Sequence, residues 1–205
     1  TLNFVPNEYL KENTEYIAKL DLKALGLENE KDEFVFSFRT IEQMISASFS
    51  GMNYYEQNKL DLLYLKGEVS TSDVTDNEML EKTIQAKINN KTLNLSWTHL
   101  SNGNKHQFTI DSVPRTENAG EVILSFDGAA LNSNSKGQIS KEIPALGDFK
   151  IINSNYESSP QPKVIIAFSD PLDERQNLKG LVRINNTTAS KTSIVGNEIH
   201  LFPEK

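Results

Sequence analysis

Residues 163–186 read KVIIAFSDPLDERQNLKGLVRINN, and this stretch contains the pattern that decides the fold. Its first part, residues 164–168, is rich in β-branched and aromatic side chains and predicts a buried strand. Pro171 ends that strand because it has no N–H to donate to a sheet, and it holds Asp170 in an extended conformation. Asp173 then begins a short turn or helix, aliphatic side chains return to a core, and two asparagines close the stretch as a turn.

The same order of signals occurs earlier in the chain, in residues 72–90. Both copies contain Ser-Asp-x-x-Asp, beginning at Ser72 and at Ser169, followed by spaced aliphatic residues and then Ile-Asn-Asn. The two serines are ~97 residues apart, which is about the length of one immunoglobulin-like β-sandwich. The repeat therefore predicts an all-β chain of tandem sandwiches, with at most one short helix.

The composition limits the classes of function. The 205 residues are 37% hydrophobic and carry a net charge of −7, and none is cysteine. The absence of cysteine excludes disulfides, thiolate metal sites and a cysteine nucleophile. Lys and Arg form no cluster, so we do not expect nucleic acid as a partner. No apolar run approaches the ~18 residues of a membrane span, and the first residues lack signal-peptide features and an initiator Met, so we expect an excised or processed piece.

We expect three units. Residues 1–42 are predicted to form the back half of an immunoglobulin-like sandwich, residues 43–146 a complete one, and residues 147–205 the front half of another. Residues 144–147, Pro-Ala-Leu-Gly, are the best linker in the chain. A half-sandwich exposes an apolar face of several hundred Å². We therefore expect the terminal halves to be covered by the central domain, by each other or by a neighbouring molecule.

Local patterns place the elements of these units. In the first unit, residues 2–6, 15–22 and 34–38 are predicted strands, the last with three phenylalanines on one face. In the second unit, a helix over residues 76–85 is predicted, capped by Thr75 or Asp76. Its apolar face is expected to consist of Met79, Leu80, Thr83 and Ile84.

A second, weaker repeat supports the assignment of the terminal units. In it, residues 2–6 match residues 93–97 and 198–203. Downstream, residues 14–17 match 106–109 and residues 36–40 match 124–128. On this alignment the chain enters one sandwich near its middle, crosses a whole one and ends near the middle of a third.

Two motifs resemble a known family. Phe-Ser-Asp-Pro-Leu-Asp at residues 168–173, with Asn-Leu-Lys-Gly-Leu at 177–181, resembles the front of the first macroglobulin domain of bacterial alpha-2-macroglobulins. Residues 4–16, with Phe4, Pro6, Leu10, Thr14 and Tyr16 and closed by Phe-Ser-Phe-Arg-Thr at 36–40, resemble the back half of a bacterial immunoglobulin-like module. The middle piece, including Leu-Ser-Trp at residues 95–97 and His-Gln-Phe-Thr-Ile at 106–110, resembles the module between them in the branch of the family that has extra N-terminal immunoglobulin-like domains. The resemblance makes residues 147–205 the front half of a macroglobulin-like (MG1-type) sandwich.

The resemblance implies a place in a large extracytoplasmic protease trap. In such traps a protease cuts a bait region, the molecule rearranges, and in many members a thioester captures the attacker. The thioester needs a cysteine, which this chain lacks. The implied role is a non-catalytic spacer in the periplasm or at the cell surface, membrane-tethered through the parent protein, with the parent's other domains and target proteases as partners. An alternative of another class is a cell-surface adhesin or glycan-binding module.

Several side chains are candidates for a site, and each has a structural alternative. The carboxylates of Asp73 and Asp76, and those of Asp170, Asp173 and Glu174, suit Ca²⁺ by type, but recurring turns and helix caps use the same residues. Trp97 with Tyr54, Tyr55 and Tyr64 suits a sugar-stacking platform, although a Trp at a strand end more often anchors a core.

The three histidines, His99, His106 and His200, are scattered, whereas a zinc or catalytic site needs converging partners. Ser101, His106 and Asp111 supply the residue types of a catalytic triad, but no nucleophile elbow accompanies them. We therefore predict no catalytic, cofactor-binding or metal-binding residues, no cofactor and no enzymatic activity.

Overall fold

The computed structural model describes residues 3–8, 10–24, 26, 33–55, 59–184, 187–188 and 191–203. Within these ranges the chain is built from antiparallel strands with one α-helix, which confirms the predicted all-β, sandwich-like fold. No helix among them is long and apolar enough to cross a bilayer. The strands are β1 Glu15–Asp21, β2 Glu33–Arg39, β3 Ile45–Tyr54, β4 Leu62–Thr71, β5 Ile84–Ile88, β6 Lys91–Leu93, β7 Leu95–His99, β8 Lys105–Pro114, β9 Gly120–Asp127, β10 Lys136–Ile143, β11 Ile151–Glu157, β12 Lys163–Phe168, β13 Arg183–Ile184, β14 Thr187–Thr188, β15 Lys191–Val195 and β16 Glu198–Phe202, and the helix is α1 Asn77–Thr83.

The central sandwich consists of two four-stranded sheets. One has the order β3-β4-β8-β7 and the other β10-β9-β5-β6. This is the arrangement of an immunoglobulin-type sandwich with one added edge strand, and it follows from strands whose alternate residues are apolar. The inner residues of β4, β8 and β9 are almost fully inaccessible to solvent, so the sandwich has a continuous core. They include Leu63, Leu65, Val69, Phe108, Ile110, Val122 and Leu124.

Helix α1 lies in the connection between the two sheets. The Asp76 carboxylate caps it by accepting a hydrogen bond from the Met79 N–H at 2.9 Å, as the sequence predicted. Leu80 and Thr83 point into the core, but Met79 is 42% exposed, so its predicted place on the apolar face was wrong. The helix is only two turns long, because Ile84 already begins β5.

The third unit repeats the first sheet of the central sandwich. Its sheet has the order β11-β12-β16-β15, with the same antiparallel pairings as β3-β4-β8-β7. Ser72 and Ser169 both follow the second strand of their sheet, and the hydroxyl of each accepts a main-chain N–H, from Met44 at 3.0 Å and from Lys150 at 2.8 Å. The Ser-Asp repeat therefore marks one position in two copies of the same structure.

The inner face of the third sheet has its own small core. Ile199 and Leu201 of β16 are buried, and Val164, Ile166 and Phe168 of β12 pack beside them partly exposed. The cover comes from the segment after β12, through Leu172, Leu178 and Val182. In the described residues no second four-stranded sheet closes this unit.

The N-terminal unit differs from the prediction. Residues 3–6 are not a strand, and the described residues contain only the hairpin β1–β2, in which Tyr16, Ala18 and Leu20 pair with the three phenylalanines of β2. The second repeat made β1 equivalent to β8 and β2 equivalent to β9. However, β1 and β2 pair in one sheet, whereas β8 and β9 lie in different sheets, so that alignment was wrong. In chain order β1–β2 precedes β3 as the hairpin β9–β10 precedes β11.

The second repeat failed again at the other end of the chain. It matched residues 198–203 with 93–97, yet β16 occupies the position of β8 and pairs with β12 as β8 pairs with β4. The physical reason is that short alternating strands look alike wherever they lie in a sandwich, so five-residue matches do not fix position. Only the Ser-Asp motif, which includes a turn, was specific enough to identify equivalent positions in the two sheets.

Candidate functional site: the Arg115 joint

The most elaborate polar arrangement in the described residues surrounds Arg115, where the central sandwich meets the third unit. Arg115 follows β8, and its side chain is fully buried. Its nitrogens donate to three segments at once: the linker after β10, the end of β12 and the turn beyond it. The bonds run from Nε to Pro144 O at 3.1 Å, from Nη1 to Ser169 O at 2.6 Å and Asp170 Oδ1 at 3.1 Å, and from Nη2 to Ala145 O at 2.7 Å, Asp148 O at 3.3 Å and Asp170 Oδ2 at 2.9 Å.

The carboxylate of Asp170 completes the ion pair. Burial alone would raise the pKa of Asp170, but hydrogen bonds from Arg115 and Ser169 and the guanidinium charge outweigh burial and lower it. Ser169 Oγ also lies 2.5 Å from Asp148 O, which brings the linker to the same cluster. Because a forked Arg–carboxylate pair fixes both distance and angle, this contact sets the orientation of the third unit.

A second set of contacts lies beside the ion pair. The Asn197 side chain donates to Asn53 Oδ1 at 2.9 Å and to Phe168 O at 2.7 Å. Asn53 in turn donates to Glu198 Oε1 at 3.2 Å, so the two sheets are bridged by side chains. Tyr54 is buried here, and burial together with the nearby Asp170 and Glu198 charges raises its pKa to about 12.

This arrangement fixes the relative position of the bonded segments and leaves few groups that could react with or bind a ligand. A guanidinium has five N–H donors and stays protonated, and here all three of its nitrogens are committed to oxygens of the chain. It therefore presents no free donor to a substrate or an anion. The linker carbonyls that it binds are likewise satisfied, which leaves the joint polar inside and closed.

The equivalent joint on the other side of the central sandwich is built differently. Asp73 holds the position of Asp170, and the amide of buried Gln43 bonds its main chain, with Oε1 accepting from Asp73 N at 2.9 Å. The charged side chain that interacts with Asp73 here is acidic: burial raises the pKa of Glu12, and the Asp73 charge raises it further. One oxygen of Glu12 is buried without a hydrogen-bond partner among the described residues.

Four of the five residues considered for Ca²⁺ accept hydrogen bonds from the chain itself, and the fifth, Glu174, is exposed. Asp76 caps α1, Asp170 binds Arg115, and Asp173 accepts both main-chain and side-chain bonds from Arg175. Asp73 accepts from the Val74 N–H. Across the described ranges no three His, Asp or Glu side chains converge in a way that would hold a metal ion.

Two histidines are brought together, which the sequence did not suggest. His99 and His106 pair across β7 and β8 with their Nδ1 atoms 2.7 Å apart, and His99 Nε2 lies 2.9 Å from Glu81 of α1. Burial and the neighbouring His99 lower the pKa of His106, which is fully buried and has no partner for Nε2 among the described residues. The chain Glu81–His99–His106 ties the helix to the sheet.

The residue types of a catalytic triad are not brought together. Asp111 lies on the other face of β8 from His106 and accepts a hydrogen bond from the Tyr55 hydroxyl. Ser101 lies in the turn before β8. His200 is separate from both of the other histidines and pairs with Glu198 on its own strand.

The predicted aromatic platform is likewise divided between two faces of a sheet. Trp97 faces inward and packs edge-on against Phe108, with ring centroids 5.7 Å apart. Tyr55 and Tyr64 contact each other on the outer face. Trp97 does line a cleft of about 540 Å³ at the open edge of the sandwich, together with Glu81, Asn94 and Asp127.

Comparison with protein-family models, with curated proteins and with solved structures finds no match to this chain. The functional reading of the site therefore depends on its own geometry. Sequence reasoning missed Arg115, because its partners are mostly main-chain carbonyls, which leave no trace in a sequence. One signal was available: Arg115 is one of four arginines, and it directly follows the proline that ends a predicted strand.

Proposed function

We propose that this chain is a non-catalytic spacer that holds consecutive sandwiches in a fixed relative orientation. The observation that carries the proposal is the Arg115 joint, in which one fully buried side chain bonds the linker and the third unit together. A flexible linker would leave this arginine solvated. A buried ion pair carries a desolvation penalty, so its presence at a linker indicates that the angle between the two modules matters.

The parent that suits such a spacer is an extracytoplasmic, macroglobulin-type protease inhibitor of bacteria. Support comes from the resemblance of residues 168–173 to the first macroglobulin domain, since Asp170 within that motif is the residue that Arg115 binds. In that setting the chain positions a protease trap relative to the membrane. Target proteases are met by the parent protein and not by these residues.

The experiment measures a distance that depends on the angle between the two modules. The chain has no cysteine, so nitroxide labels can be placed at Glu121→Cys and Asn155→Cys, on either side of the joint. We expect a narrow distance distribution by pulsed electron resonance in this background and a broad one after Arg115→Ala. Arg175→Ala is the matched control, because Arg175 is exposed and pairs only within its own turn. A distribution already broad with Arg115 intact would contradict a rigid spacer.

A second candidate function is a glycan-binding module, and the cleft beside Trp97 favours it. The part of Trp97 that lines this cleft, beside Glu81, Asn94 and Asp127, combines an aromatic surface with hydrogen-bonding groups, as sugar sites do. Glycan-array binding that is lost in Trp97→Ala, with folding intact, would support this candidate. Tyr64→Ala, on the opposite face of the same sheet, should leave that binding unchanged.

The two candidates are also separated by the parent gene. A bait-like segment or a Cys-x-x-Gln-type thioester downstream would support the trap, whereas a short parent with a surface-anchoring signal would support the adhesin.

A further inference from the structure

One edge of the central sandwich is open to an added strand. β7 is the outermost strand of the sheet β3-β4-β8-β7 and pairs with β8 alone among the described strands. In the turn between them the Leu100 N–H donates to the Lys105 carbonyl at 3.0 Å, and the register continues from this pair without a shift. Bonded and non-bonded pairs alternate along an antiparallel ladder. The main-chain groups of Leu95, Trp97 and His99 therefore point away from β8, towards the open edge.

These outward main-chain groups specify the kind of partner. The same alternation makes Ser96 and Thr98 the residues of β7 whose main chain bonds β8. Within the described ranges, no strand and no side chain bonds the outward N–H and C=O groups between them. A row of unpaired main-chain donors and acceptors has the spacing of another strand, so extended peptide is the ligand that satisfies all of them together.

The other edge strands in the described part of the chain are protected. Proteins guard such edges with charged side chains, proline, bulges or very short strands. Charged residues lie in β1, β2, β6, β10, β11, β13 and β15. β3 is bulged between Phe49 and Gly51, and β14 has two residues. β7 reads Leu-Ser-Trp-Thr-His, with no bulge, proline, lysine, arginine or acidic residue, so its edge carries none of these protections.

A cleft beside β7 would receive side chains of an added strand. Successive side chains of a strand point to opposite faces, so every second side chain of a strand bound to β7 would point between the two sheets. That space is the cleft of about 540 Å³ that Leu95 and Trp97 line. Its apolar lining is completed by Ile84, Leu93 and Phe126, which pack in or against the central core. The inward side chains of the partner should therefore be apolar.

The charged side chains around the cleft do not select a charged partner. Glu81 is already bonded to His99, and Asp127 pairs with Lys136 at 2.9 Å. Lys82 adds a positive charge to the same lining. Recognition would therefore depend on the main chain of β7 and on the apolar part of the cleft.

We propose that β7 binds an extended peptide segment of another protein by strand addition, with apolar side chains at alternate positions filling the cleft. The edge of a second folded copy does not meet this requirement, because its inward side chains, such as Leu95 and Trp97, are packed against its own core. The inference goes beyond the proposed spacer and holds whether or not the joint at Arg115 is rigid. It concerns the same cleft as the glycan candidate, and the main chain of β7 distinguishes the two occupants.

The first test is amide hydrogen exchange of the full-length chain, measured by NMR. The probes are synthetic copies of peptides enriched from a phage-displayed library of random linear sequences selected on the wild-type chain. We expect the enriched sequences to alternate apolar and polar residues. In the free chain the amides of Trp97 and His99 should exchange rapidly, and those of Ser96 and Thr98 slowly. With peptide at about ten times its Kd, exchange at Trp97 and His99 should slow by about tenfold.

The second test removes one outward N–H by substitution. Leu95 is the first residue of β7, and proline is accepted at the start of an edge strand where its missing N–H would face outward. Leu95→Ala is the matched control, because it also loses the leucine side chain but keeps the N–H. Trp97 is the single tryptophan and lines the cleft, so its fluorescence measures peptide affinity. We expect Leu95→Pro to bind about tenfold more weakly than Leu95→Ala.

Circular dichroism verifies that both variants fold, and the exchange test on the wild type decides the matter if Leu95→Pro does not. Failure to enrich any peptide would overturn the inference, as would protection that falls away from Trp97 and His99. Equal affinity of the two folded Leu95 variants would also overturn it. Slowed exchange of these amides at high concentration of the wild type without peptide would assign the edge to a second copy instead.

Discussion

The central sandwich and the third unit build the same sheet but fill equivalent positions differently. Where the central sheet has Gly67 opposite Phe108, the third has Val164 opposite Leu201. Where the central sheet pairs His99 with His106, the third pairs Ile194 with Ile199. The comparison shows that the same backbone arrangement accommodates different side chains at a cross-strand pair, provided that the sizes of the two paired side chains compensate.

The charged side chains at the two joints also differ. Asp170 faces the guanidinium of Arg115, whereas Asp73, at the same position, faces the carboxyl of Glu12. One joint is held by an ion pair and the other is held despite like charges. Because the scaffolds match, each difference can be exchanged or removed and its effect measured against the other copy.

The largest effect should come from removing the cation of the second joint. Arg115→Ala removes the cation that pairs with Asp170 and leaves the Pro144 and Ser169 carbonyls without the donor that the guanidinium supplies, and breaking a buried pair costs about 3–5 kcal/mol. The free energy of unfolding, from urea denaturation of the full-length chain, is the measurement. Arg115→Lys should lose part of this amount, since it keeps the charge but not the fork. Loss of less than ~1 kcal/mol would mean that the joint is solvated.

The second-largest effect is expected from replacing the side chains of one cross-strand pair, Gly67 and Phe108, by those of the third unit. A Cβ at Gly67 would lie 2.2 Å from Phe108 Cζ and 2.4 Å from the Ser48 carbonyl oxygen. Gly67→Val, which copies the third unit, is therefore expected to destabilise the central sandwich by about 3 kcal/mol or more. Adding Phe108→Leu should restore only part, because the Ser48 contact remains. Full restoration in thermal unfolding would show that the backbone of β3 moves freely.

Much of this comparison was open to sequence reasoning. The Ser-Asp repeat located equivalent positions in two sheets, and alternation of apolar residues located β1, β2 and β12 within a residue or two. The weaker repeat failed because β1 resembles any strand of alternating pattern, whereas its place depends on β2, with which it pairs. The joint was not predictable, since carbonyls of Pro144 and Ala145 have no signature and their partner Arg115 is ~30 residues away.

A moderate effect is expected from the histidine pair. The lowered pKa of His106 means that the folded chain binds fewer protons there than the unfolded chain, whose value is near 6.5. Stability from this site is therefore complete above about pH 6.5 and is lost as pH falls below it. His99→Ile with His106→Ile copies the third unit, and it should remove this loss of stability between pH 7 and pH 5.

The histidine prediction has a built-in check at neutral pH. Replacing the buried ring of His106 and the partly buried ring of His99 by apolar groups of similar volume should be close to neutral there, so only the acid limb of the stability curve should change. Glu81→Gln tests the helix contact alone. If the double variant keeps the wild-type pH dependence of the melting temperature, the acid sensitivity arises elsewhere.

The smallest effect concerns the first joint, where Glu12→Gln removes the like charge facing Asp73. The raised pKa of Glu12 means that the folded chain holds a proton more tightly than the unfolded chain, whose value is 4.5. Stability should therefore fall as pH rises from 4.5 through the raised pKa, and the cost should persist at neutral pH. We expect Glu12→Gln to stabilise the chain at pH 7 by less than about 1 kcal/mol, since water screens this partly exposed group, and to make no difference at pH 3. Glu8→Gln, at an exposed position in the same N-terminal segment, is the matched control, and equal stabilisation by both variants would assign the effect to net charge and not to Asp73.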